Sequence, residues 1–304
     1  MTYDVIIIGG GTAAMSAAIY TARKARKTLV IAKKIGGQTA IAGLVENYPG
    51  FKQILGVELS LTIKDQAKFQ GAEILEDEAV KGIKKDKNIF EVVTTKNKYL
   101  AKSIVIASGK KSRVLNIPGE KELIGKGVAY CAICDAPLFK DKTVVVAGGG
   151  NSGLDAAVEL LKYAKKIYVF EYMPECIGDK KVLDSLKKDK KVTIITNAQI
   201  TKVSGDGFMD QLEYVDRTDN KKCTIKAQGL FVEIGWEVVN DFVPTQIKRN
   251  KKGEIIVDQK TQMTNLEGVF AAGDVTDGLY KQAIIAAGDA AKAAISVDEF
   301  LKKQ

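Results

Sequence analysis

The hydrophobic positions fall into short apolar runs separated by glycine-rich turns and by amphipathic stretches. Residues 3–8 form an apolar run that ends at a turn of three glycines, 9–11. Small and apolar residues then recur at helical spacing over 12–24, and residues 28–32 form a second apolar run. A strand, a glycine turn, a helix and a strand in this order predict a βαβ unit.

The same pattern recurs in the middle of the chain. An apolar run at 143–147 leads into the glycine turn 148–153, a helix is predicted near 154–163 and a strand at 167–170. Two such units predict an α/β protein with two Rossmann-like domains. Other predicted elements are a helix at 59–70, strands at 103–107 and 268–272, and a helix at 282–294.

The residues of the first turn suit a dinucleotide. Gly9 permits the tight turn, Gly11 lets the backbone approach a pyrophosphate, and the small Ala14 lets the helix pack on the strand. The helix N-terminus then presents free N–H groups to the phosphates. A glycine fingerprint alone is weak evidence, but the flanking strand and helix strengthen it.

Candidate chemistry lies just before the second turn, where Cys131 and Cys134 are followed by Asp135. Four cysteines in 304 residues make no disulfide framework, so the Cys-x-x-Cys pair favours redox catalysis or metal binding. The chain has no histidine, and Cys176 and Cys223 form no second pair at this spacing. A zinc site is therefore disfavoured, and we expect no metal.

Charge adds a constraint on partners. Lysine and arginine number 46 against 37 acidic residues, a net charge of +9. The basic clusters contain no interleaved aromatic residues, so an acidic protein partner is favoured over nucleic acid. No apolar run of membrane-spanning length and no leader segment is evident, so we expect a cytoplasmic protein without membrane contact.

Seven motifs occur in the order and spacing of low-molecular-weight bacterial thioredoxin reductases, which the chain resembles over nearly its whole length. The motifs are Gly9-Gly10-Gly11-Thr12-Ala13-Ala14, Gly36-Gly37-Gln38, Glu46-Asn47-Tyr48-Pro49-Gly50, Cys131-Ala132-Ile133-Cys134-Asp135, Gly148-Gly149-Gly150-Asn151-Ser152-Gly153, Ala271-Ala272-Gly273-Asp274 and Tyr280-Lys281-Gln282-Ala283. The resemblance implies an enzyme that acts as a homodimer, carries FAD and reduces thioredoxin. It also implies two three-layer ββα domains, a discontinuous FAD domain at 1–112 and 243–304 and a central domain at 113–242 that carries the dithiol.

The resemblance also assigns the site residues. It implies that Cys134 faces the flavin, that Cys131 attacks the disulfide of thioredoxin, and that Asp135 is the acid/base. The FAD ligands that it implies are Gly9, Gly11, Thr12, Ala13, Ala14, Gly37, Gln38, Asn47, Ala79, Ala107, Gly109, Gly273, Asp274, Lys281, Gln282 and Ala283.

One segment departs from the family pattern. Where typical members have a His-Arg-Arg motif that would neutralise the 2′-phosphate of NADPH, this chain has Glu171, Tyr172 and Met173. Glu171 would repel NADPH. Either it accepts from the ribose hydroxyls of NADH, or the central domain keeps its fold without functional binding of a pyridine nucleotide. The ferredoxin-dependent flavin thioredoxin reductases also lack the residues that bind the 2′-phosphate of NADPH. The net positive charge of this chain suits an acidic ferredoxin. The sequence favours ferredoxin as donor; an NADH- or NADPH-dependent reductase and a flavin-bound redox sensor without turnover are the alternatives.

Overall fold

The computed structural model describes residues 2–42 and 44–304; Met1 and Gly43 lie outside the described residues. The chain separates into two compact units. The first comprises Met1–Ile41, Tyr48–Lys111 and Val238–Gln304, and the second comprises Ala42–Asn47 and Ser112–Glu237. The first unit is therefore discontinuous in sequence.

The first unit is built on a seven-stranded sheet in the order β5-β2-β1-β8-β7-β6, with β19 also paired to β8. Its strands are β1 (Thr2–Ile8), β2 (Thr28–Ile31), β5 (Glu73–Leu75), β6 (Val80–Asp86), β7 (Ile89–Thr94), β8 (Lys98–Ile106) and β19 (Val269–Ala271). The long strand β8 pairs with antiparallel β7 through its first half and with parallel β19 through its second. The carboxyl ends of β1, β8 and β19 thus lie side by side, where a dinucleotide is expected to bind.

The second unit has a parallel five-stranded sheet in the order β10-β17-β11-β12-β13 and an antiparallel three-stranded sheet, β14-β15-β16. Its strands are β10 (Val128–Ala129), β11 (Thr143–Ala147), β12 (Lys166–Phe170), β13 (Val192–Ile195), β14 (Ala198–Ser204), β15 (Gln211–Asp216), β16 (Lys221–Lys226) and β17 (Gly229–Val232). Four short strands complete the described elements: β3 (Leu44–Val45), β4 (Ile54–Leu55), β9 (Lys110–Ser112) and β18 (Trp236–Val238).

Side chains of the central strands of the second unit alternate between two cores. Val144 and Val146 of β11 pack with the helices, whereas Val145 and Ala147 pack against the three-stranded sheet. Because both faces of the parallel sheet are covered, its strands read as continuous apolar runs rather than as alternating patterns. This arrangement is the three-layer ββα type, and the predicted α/β fold with Rossmann-like domains is confirmed.

The described ranges contain seven α-helices. They are α1 (Thr12–Arg23), α2 (Gly37–Ile41), α3 (Gly56–Phe69), α4 (Ala132–Asp135), α5 (Asn151–Leu160), α6 (Lys180–Lys188) and α7 (Ala283–Lys302). None of these helices, nor any other in the described ranges, combines the length and hydropathy needed to cross a bilayer.

The unit boundaries differ from the predicted ones at three places. Ala42–Asn47 and Ser112 lie in the second unit, and residues 238–242 lie in the first. Backbone and side-chain hydrogen bonds tie Val239 to the first unit: its N–H donates to Gly109, and the hydroxyl of Ser108 donates to its carbonyl at 2.5 Å. The chain therefore rejoins the first unit at Val238, a few residues before the predicted boundary at 243.

A buried carboxylate anchors the last helix. Asp298 of α7 is 3% exposed and accepts a hydrogen bond from Nε of Arg26 at 2.7 Å. Lys24 and Lys302 approach the same carboxylate at 3.3 and 2.7 Å. Burial raises the pKa of Asp298, but hydrogen bonds from Lys302, Arg26 and Lys24 outweigh burial and hold the pKa well below its usual value. The ionised form is therefore the one that stabilises the fold.

We expect Asp298→Asn to lower the free energy of unfolding at pH 7 by about 1.5–3 kcal/mol, the range for hydrogen bonds to a charged group. Because the folded-state pKa is depressed, this contribution is complete above the unfolded pKa near 4 and is lost as pH falls through the folded value. Denaturant unfolding at pH 7 and pH 3 checks this: the difference between wild type and variant should shrink at pH 3. An equal difference at both pH values would contradict the assignment.

Candidate functional site

The first glycine turn connects β1 to α1 and is shaped by close backbone contacts. Gly9 has φ +139°, and a Cβ there would lie 2.2 Å from the carbonyl oxygen of Ala107 at the end of β8. Around Gly11 the nearest atom to an added Cβ is the Cα of Gly37, at 3.8 Å. Gly9 is therefore required by the fold, whereas Gly11 leaves open space beside the helix N-terminus.

That helix N-terminus is suited to an anion. Gly11 caps α1 without a side-chain hydrogen bond, and the first turn of α1 holds no acidic residue. Its first N–H groups are thus available to a phosphate. Thr12 is buried and its hydroxyl lies 2.9 Å from that of Thr39.

The C-terminal motif lies next to the same turn. Gly273 has φ +75°, and a Cβ there would lie 3.0 Å from the Cβ of Ala13 and 3.2 Å from that of Ala286 on α7. The structure thereby brings the motifs at 9–14 and 271–274 together, although about 260 positions separate them in the sequence. Asp274 follows immediately, in a short 3-10 turn, Gly273–Val275.

Two lysines and two carboxylates surround the end of β19. Lys110 forms an ion pair with Glu254, and Nζ of Lys281 lies 3.5 Å from the same carboxylate and donates to the carbonyl of Thr276 at 2.5 Å. Burial and the charge of Lys110 lower the pKa of Lys281. Burial raises the pKa of Asp274, although Lys281 and Lys110 oppose this rise.

Glu254 stays ionised among these groups. Burial raises its pKa, but hydrogen bonds from Lys110 and Asn250 outweigh it and leave the pKa lowered overall. Sequence reasoning missed Lys110 and Glu254. The position of Lys110, directly after the Ser-Gly that ends a strand, could have indicated it; Glu254 lies in a segment without any motif.

The remaining predicted FAD ligands fall in several places. Ala107 and Gly109 follow β8, the amide of Gln38 donates to the carbonyl of Lys110 at 3.2 Å, and Gln282 and Ala283 begin α7. The N–H of Ala79 donates to the hydroxyl of Thr95 at 3.2 Å, and Ala14 is fully buried on α1. Asn47 is exposed and groups with the second unit. Its role as a FAD ligand stays a prediction.

The second glycine turn connects β11 to α5. A Cβ at Gly148 would lie 2.4 Å from the carbonyl oxygen of Glu233, and one at Gly153 would lie 1.9 Å from the carbonyl oxygen of Gly148. A Cβ at Gly150 would meet nothing within 4 Å, and Gly150 caps α5 without a side-chain hydrogen bond. The features that a dinucleotide pyrophosphate needs are thus present here as well.

Glu171 closes one side of this turn. Its side chain is 8% exposed, and its carboxylate accepts from the N–H of Gly149 at 2.6 Å and of Met173 at 2.8 Å. The sulfur of Cys176 packs beside this carboxylate, 2.5 Å from where a Cβ of Gly149 would stand. The carboxylate therefore occupies the position from which an acidic residue contacts an adenosine ribose.

The cysteine pair lies at the start of α4. Cys131 and Cys134 form a disulfide with their Cα atoms 5.3 Å apart, and Asp135 ends the helix with 7% of its surface exposed. The N–H groups of Cys134 and Asp135 donate to the carbonyl of Cys131 at 3.2 and 3.0 Å. The structure thus brings together the three residues predicted to carry the chemistry, although their individual roles stay predictions.

The loop that leads to the pair is held by Glu120. This carboxylate is 2% exposed and accepts from the N–H of Leu115 at 2.9 Å and from the hydroxyl of Tyr130 at 2.8 Å. Burial and this hydrogen bond raise the pKa of Tyr130. Both ends of the loop are therefore fixed before the chain reaches Cys131.

Two glycine turns, each at the carboxyl ends of parallel strands, together with a Cys-x-x-Cys disulfide define a flavin-type disulfide oxidoreductase. The chain belongs to the pyridine nucleotide-disulphide oxidoreductase family, whose pattern it matches over residues 3–290.

Among curated relatives, an NADH dehydrogenase of Bacillus subtilis is 38% identical over 300 residues, and an alkyl hydroperoxide reductase component from Escherichia coli is 41% identical over 309. Each match covers 98% of this chain but only 58% of the relative. The thioredoxin reductase of Streptococcus pyogenes has a similar structure, with a TM-score of 0.94 and 31% identity over 100% of this chain and 99% of that one. The chain is a thioredoxin reductase-like oxidoreductase.

The cofactor of this class is FAD, and the first unit fits it. The open backbone at Gly11 and the uncapped start of α1 suit the pyrophosphate. Asp274 and Lys281, from the motifs at 271–274 and 280–283, place their charges near each other beside this turn. The chain is therefore a flavoprotein of the thioredoxin reductase type.

We expect Gly11→Val to weaken FAD binding at least about tenfold, equivalent to 1.4 kcal/mol, because its side chain would occupy the space left for the pyrophosphate. The change should leave the fold intact, since Gly11 has φ −87° and no close neighbour. Gly82→Val is the matched control, as Gly82 on β6 also has open space around it. Flavin content after purification and FAD titration of the apoprotein measure the effect. Equal FAD affinity in the two variants would rule out that the pyrophosphate of FAD lies against the backbone at Gly11.

Proposed function

We propose that this chain catalyses the reduction of a thioredoxin-type protein disulfide by NADH, through FAD and the Cys131–Cys134 pair. The observation that carries the proposal is the carboxylate of Glu171 on the Gly149 N–H, in the same unit as the disulfide. An acidic residue at this position of a dinucleotide turn accepts from the ribose hydroxyls of NADH.

Three features support NADH rather than NADPH. A carboxylate has about four acceptor positions, so the two hydrogen bonds to Gly149 and Met173 leave others for ribose hydroxyls. Residues 171–179 contain no lysine or arginine to pair with a 2′-phosphate. Relatives that match 98% of this chain bear the name NADH dehydrogenase.

The chemistry at the pair follows from thiol–disulfide exchange. When bound, FAD would pass an electron pair from the donor to the Cys131–Cys134 disulfide, which would become a dithiol by taking up two protons, one derived from the hydride of NADH and one from solvent. In our assignment the thiolate of Cys131 attacks the substrate disulfide, forming a mixed disulfide and releasing one substrate thiolate. Cys134 then attacks Cys131, releasing the second substrate thiolate, while Asp135 holds and delivers the proton.

A thioredoxin is proposed as acceptor because structural neighbours that this chain covers almost completely are thioredoxin reductases. The chain spans only 58% of the length of the two curated relatives described above. The FAD-ligand assignments, a homodimer and a cytoplasmic location stay predictions of this proposal.

Reduced ferredoxin, the donor that the sequence favoured, is the second candidate. The curated relatives described above are named for NADH and for alkyl hydroperoxide, and none of them for ferredoxin. The observation in favour of ferredoxin is the net charge of +9, which would attract an acidic electron carrier.

Anaerobic stopped-flow mixing with NADH, NADPH and reduced ferredoxin distinguishes the donors. We expect NADH to bleach the flavin. We expect Glu171→Gln to raise the KM for NADH about tenfold with kcat less affected, because the lost contact stabilises bound NADH and the transition state equally. Glu175→Gln, in the same segment but exposed, is the matched control.

Bleaching by ferredoxin alone, at a rate that falls as ionic strength rises from about 0.01 to 0.15 M, would replace NADH with the second candidate. A flavin that stays oxidised with all three donors would favour the redox sensor.

For the cysteines, we expect Cys134→Ser to trap thioredoxin on Cys131 as a mixed disulfide and Cys131→Ser to trap none, because only the attacking thiol forms that bond. Turnover of both variants should fall at least about a hundredfold, or 2.7 kcal/mol in activation free energy. Cys223→Ser is the control, since Cys223 lies on β16 outside the pair. Non-reducing gels and thioredoxin turnover give the measurements. Near wild-type turnover in either pair variant would refute the relay.

A further inference from the structure

Tyr172 directly follows Glu171 at the carboxyl end of β12, and 49% of its surface is exposed. The carboxylate of Glu171 accepts from the N–H of Gly149 at 2.6 Å and from that of Met173 at 2.8 Å. The chain from 171 to 173 therefore turns around this carboxylate. Because consecutive Cα atoms are about 3.8 Å apart, the aromatic side chain starts close to the group that is proposed to receive the ribose.

Arg217 holds Tyr172 from a distant part of the same unit. Arg217 lies in the turn between β15 and β16, and its Cζ lies over the ring of Tyr172, 3.8 Å from the ring centroid. Its Nη1 also donates to the carbonyl of Tyr172 at 2.7 Å. One guanidinium thus contacts both the ring and the peptide carbonyl of the same residue.

The backbone around this contact is fixed by three hydrogen bonds. The N–H of Arg217 donates to the carbonyl of Asn197 at 2.8 Å, and the N–H of Asn197 donates to the carbonyl of Met173 at 3.0 Å. The N–H of Ala198 donates to the carbonyl of Glu171 at 3.0 Å. These bonds join the end of β12 to the turn that carries the guanidinium, so the fold itself sets the position of the aromatic ring.

The segment that follows Glu171 is apolar and open to a ligand. Met173 and Ile177 are exposed, as is about half of Tyr172, although the guanidinium lies over the tyrosine ring. Small-molecule sites are lined mainly by apolar and aromatic side chains, with a few polar groups that fix the orientation of the ligand. An aromatic ring next to a carboxylate fits a planar base that is attached to a ribose, because every base has a face that can stack.

We propose that Tyr172 stacks against the adenine ring of NADH and that Arg217 is the positioning residue that holds Tyr172 for this contact. The inference rests on the proposed function for the identity of the nucleotide. It assigns the ribose to Glu171 and the base to Tyr172, so that two consecutive residues recognise the adenosine.

A different role for Arg217 would be to pair with the 2′-phosphate of NADPH. The guanidinium is already engaged with the ring and the carbonyl of Tyr172. The carboxylate of Glu171 lies in the same bonded segment and would repel a phosphate there. The geometry therefore favours support of the ring over binding of a phosphate.

Calorimetric titration of the oxidised holoenzyme with ADP-ribose tests the stacking contact without electron transfer. We expect Tyr172→Ala to weaken ADP-ribose binding at least about fivefold, the lower end for a base stacked on an aromatic side chain. Tyr172→Phe keeps the ring and should bind ADP-ribose within about twofold of wild type, because stacking uses the face of the ring and not the hydroxyl. Equal affinity in wild type and Tyr172→Ala would overturn the proposal.

The positioning role of Arg217 is tested by a double-mutant cycle. Arg217→Ala should weaken ADP-ribose binding about threefold, the size of an exposed cation–π contact. In the Tyr172→Ala background it should have no further effect, because Arg217 acts through the ring. Lys222→Ala, which removes an exposed positive charge from the neighbouring strand β16, is the matched control and should leave the affinity unchanged. An equal loss from Arg217→Ala in both backgrounds would overturn the positioning role.

The same titrations separate this inference from the proposed function. If wild type does not bind ADP-ribose, the assignment of NADH as donor fails, and the inference fails with it. If ADP-ribose binds equally well to wild type and Tyr172→Ala, only the inference is overturned. Tighter binding of 2′-phospho-ADP-ribose than of ADP-ribose, lost in Arg217→Ala, would assign Arg217 to the 2′-phosphate and overturn both.

Discussion

The closeness of neighbouring backbones at the ends of the parallel strands is the constraint on which both units depend. At Gly9 a carbonyl oxygen from β8 lies 2.2 Å from where a side chain would begin, and at Gly148 a carbonyl oxygen from Glu233 lies at 2.4 Å. Only glycine fits such an approach at these positive φ angles. Since each helix starts at the turn, the uncapped N–H groups that can receive a phosphate are placed by the same contact.

This constraint explains why so much of the fold could be predicted. The glycine turns and the apolar runs before them indicated β1, α1, β2, β11 and β12 to within a few residues, because parallel strands buried on both faces leave a strong local signal. The dithiol was equally visible, since Cys-x-x-Cys spacing places both sulfurs on one helical turn. Local chemistry and local structure coincide in these segments.

What escaped prediction depends on contacts between distant segments. The three-stranded sheet β14-β15-β16 was not predicted, although turn-forming residues separate its strands at 205–210 and 217–220. Its packing against β11 and β12 is a contact between distant segments. The lysine and glutamate at positions 110 and 254 meet only after the chain has folded. No spacing rule relates residues so far apart, so the charges that tune the site had to be read from the structure.

The two glycine turns are related in plan but not interchangeable. At the third glycine position of the G-x-G-x-x-G pattern, one turn has Ala14 and the other has Gly153. A Cβ at Gly153 would lie 1.9 Å from the carbonyl oxygen of Gly148. Exchanging the residues at these two positions would thus disrupt the second turn much more than the first. Alanine carried to position 153 would push α5 off its strand, whereas glycine carried to position 14 would cost about 1 kcal/mol in helix propensity. The second turn thus keeps no room for a methyl group at the position where the first holds the side chain of Ala14.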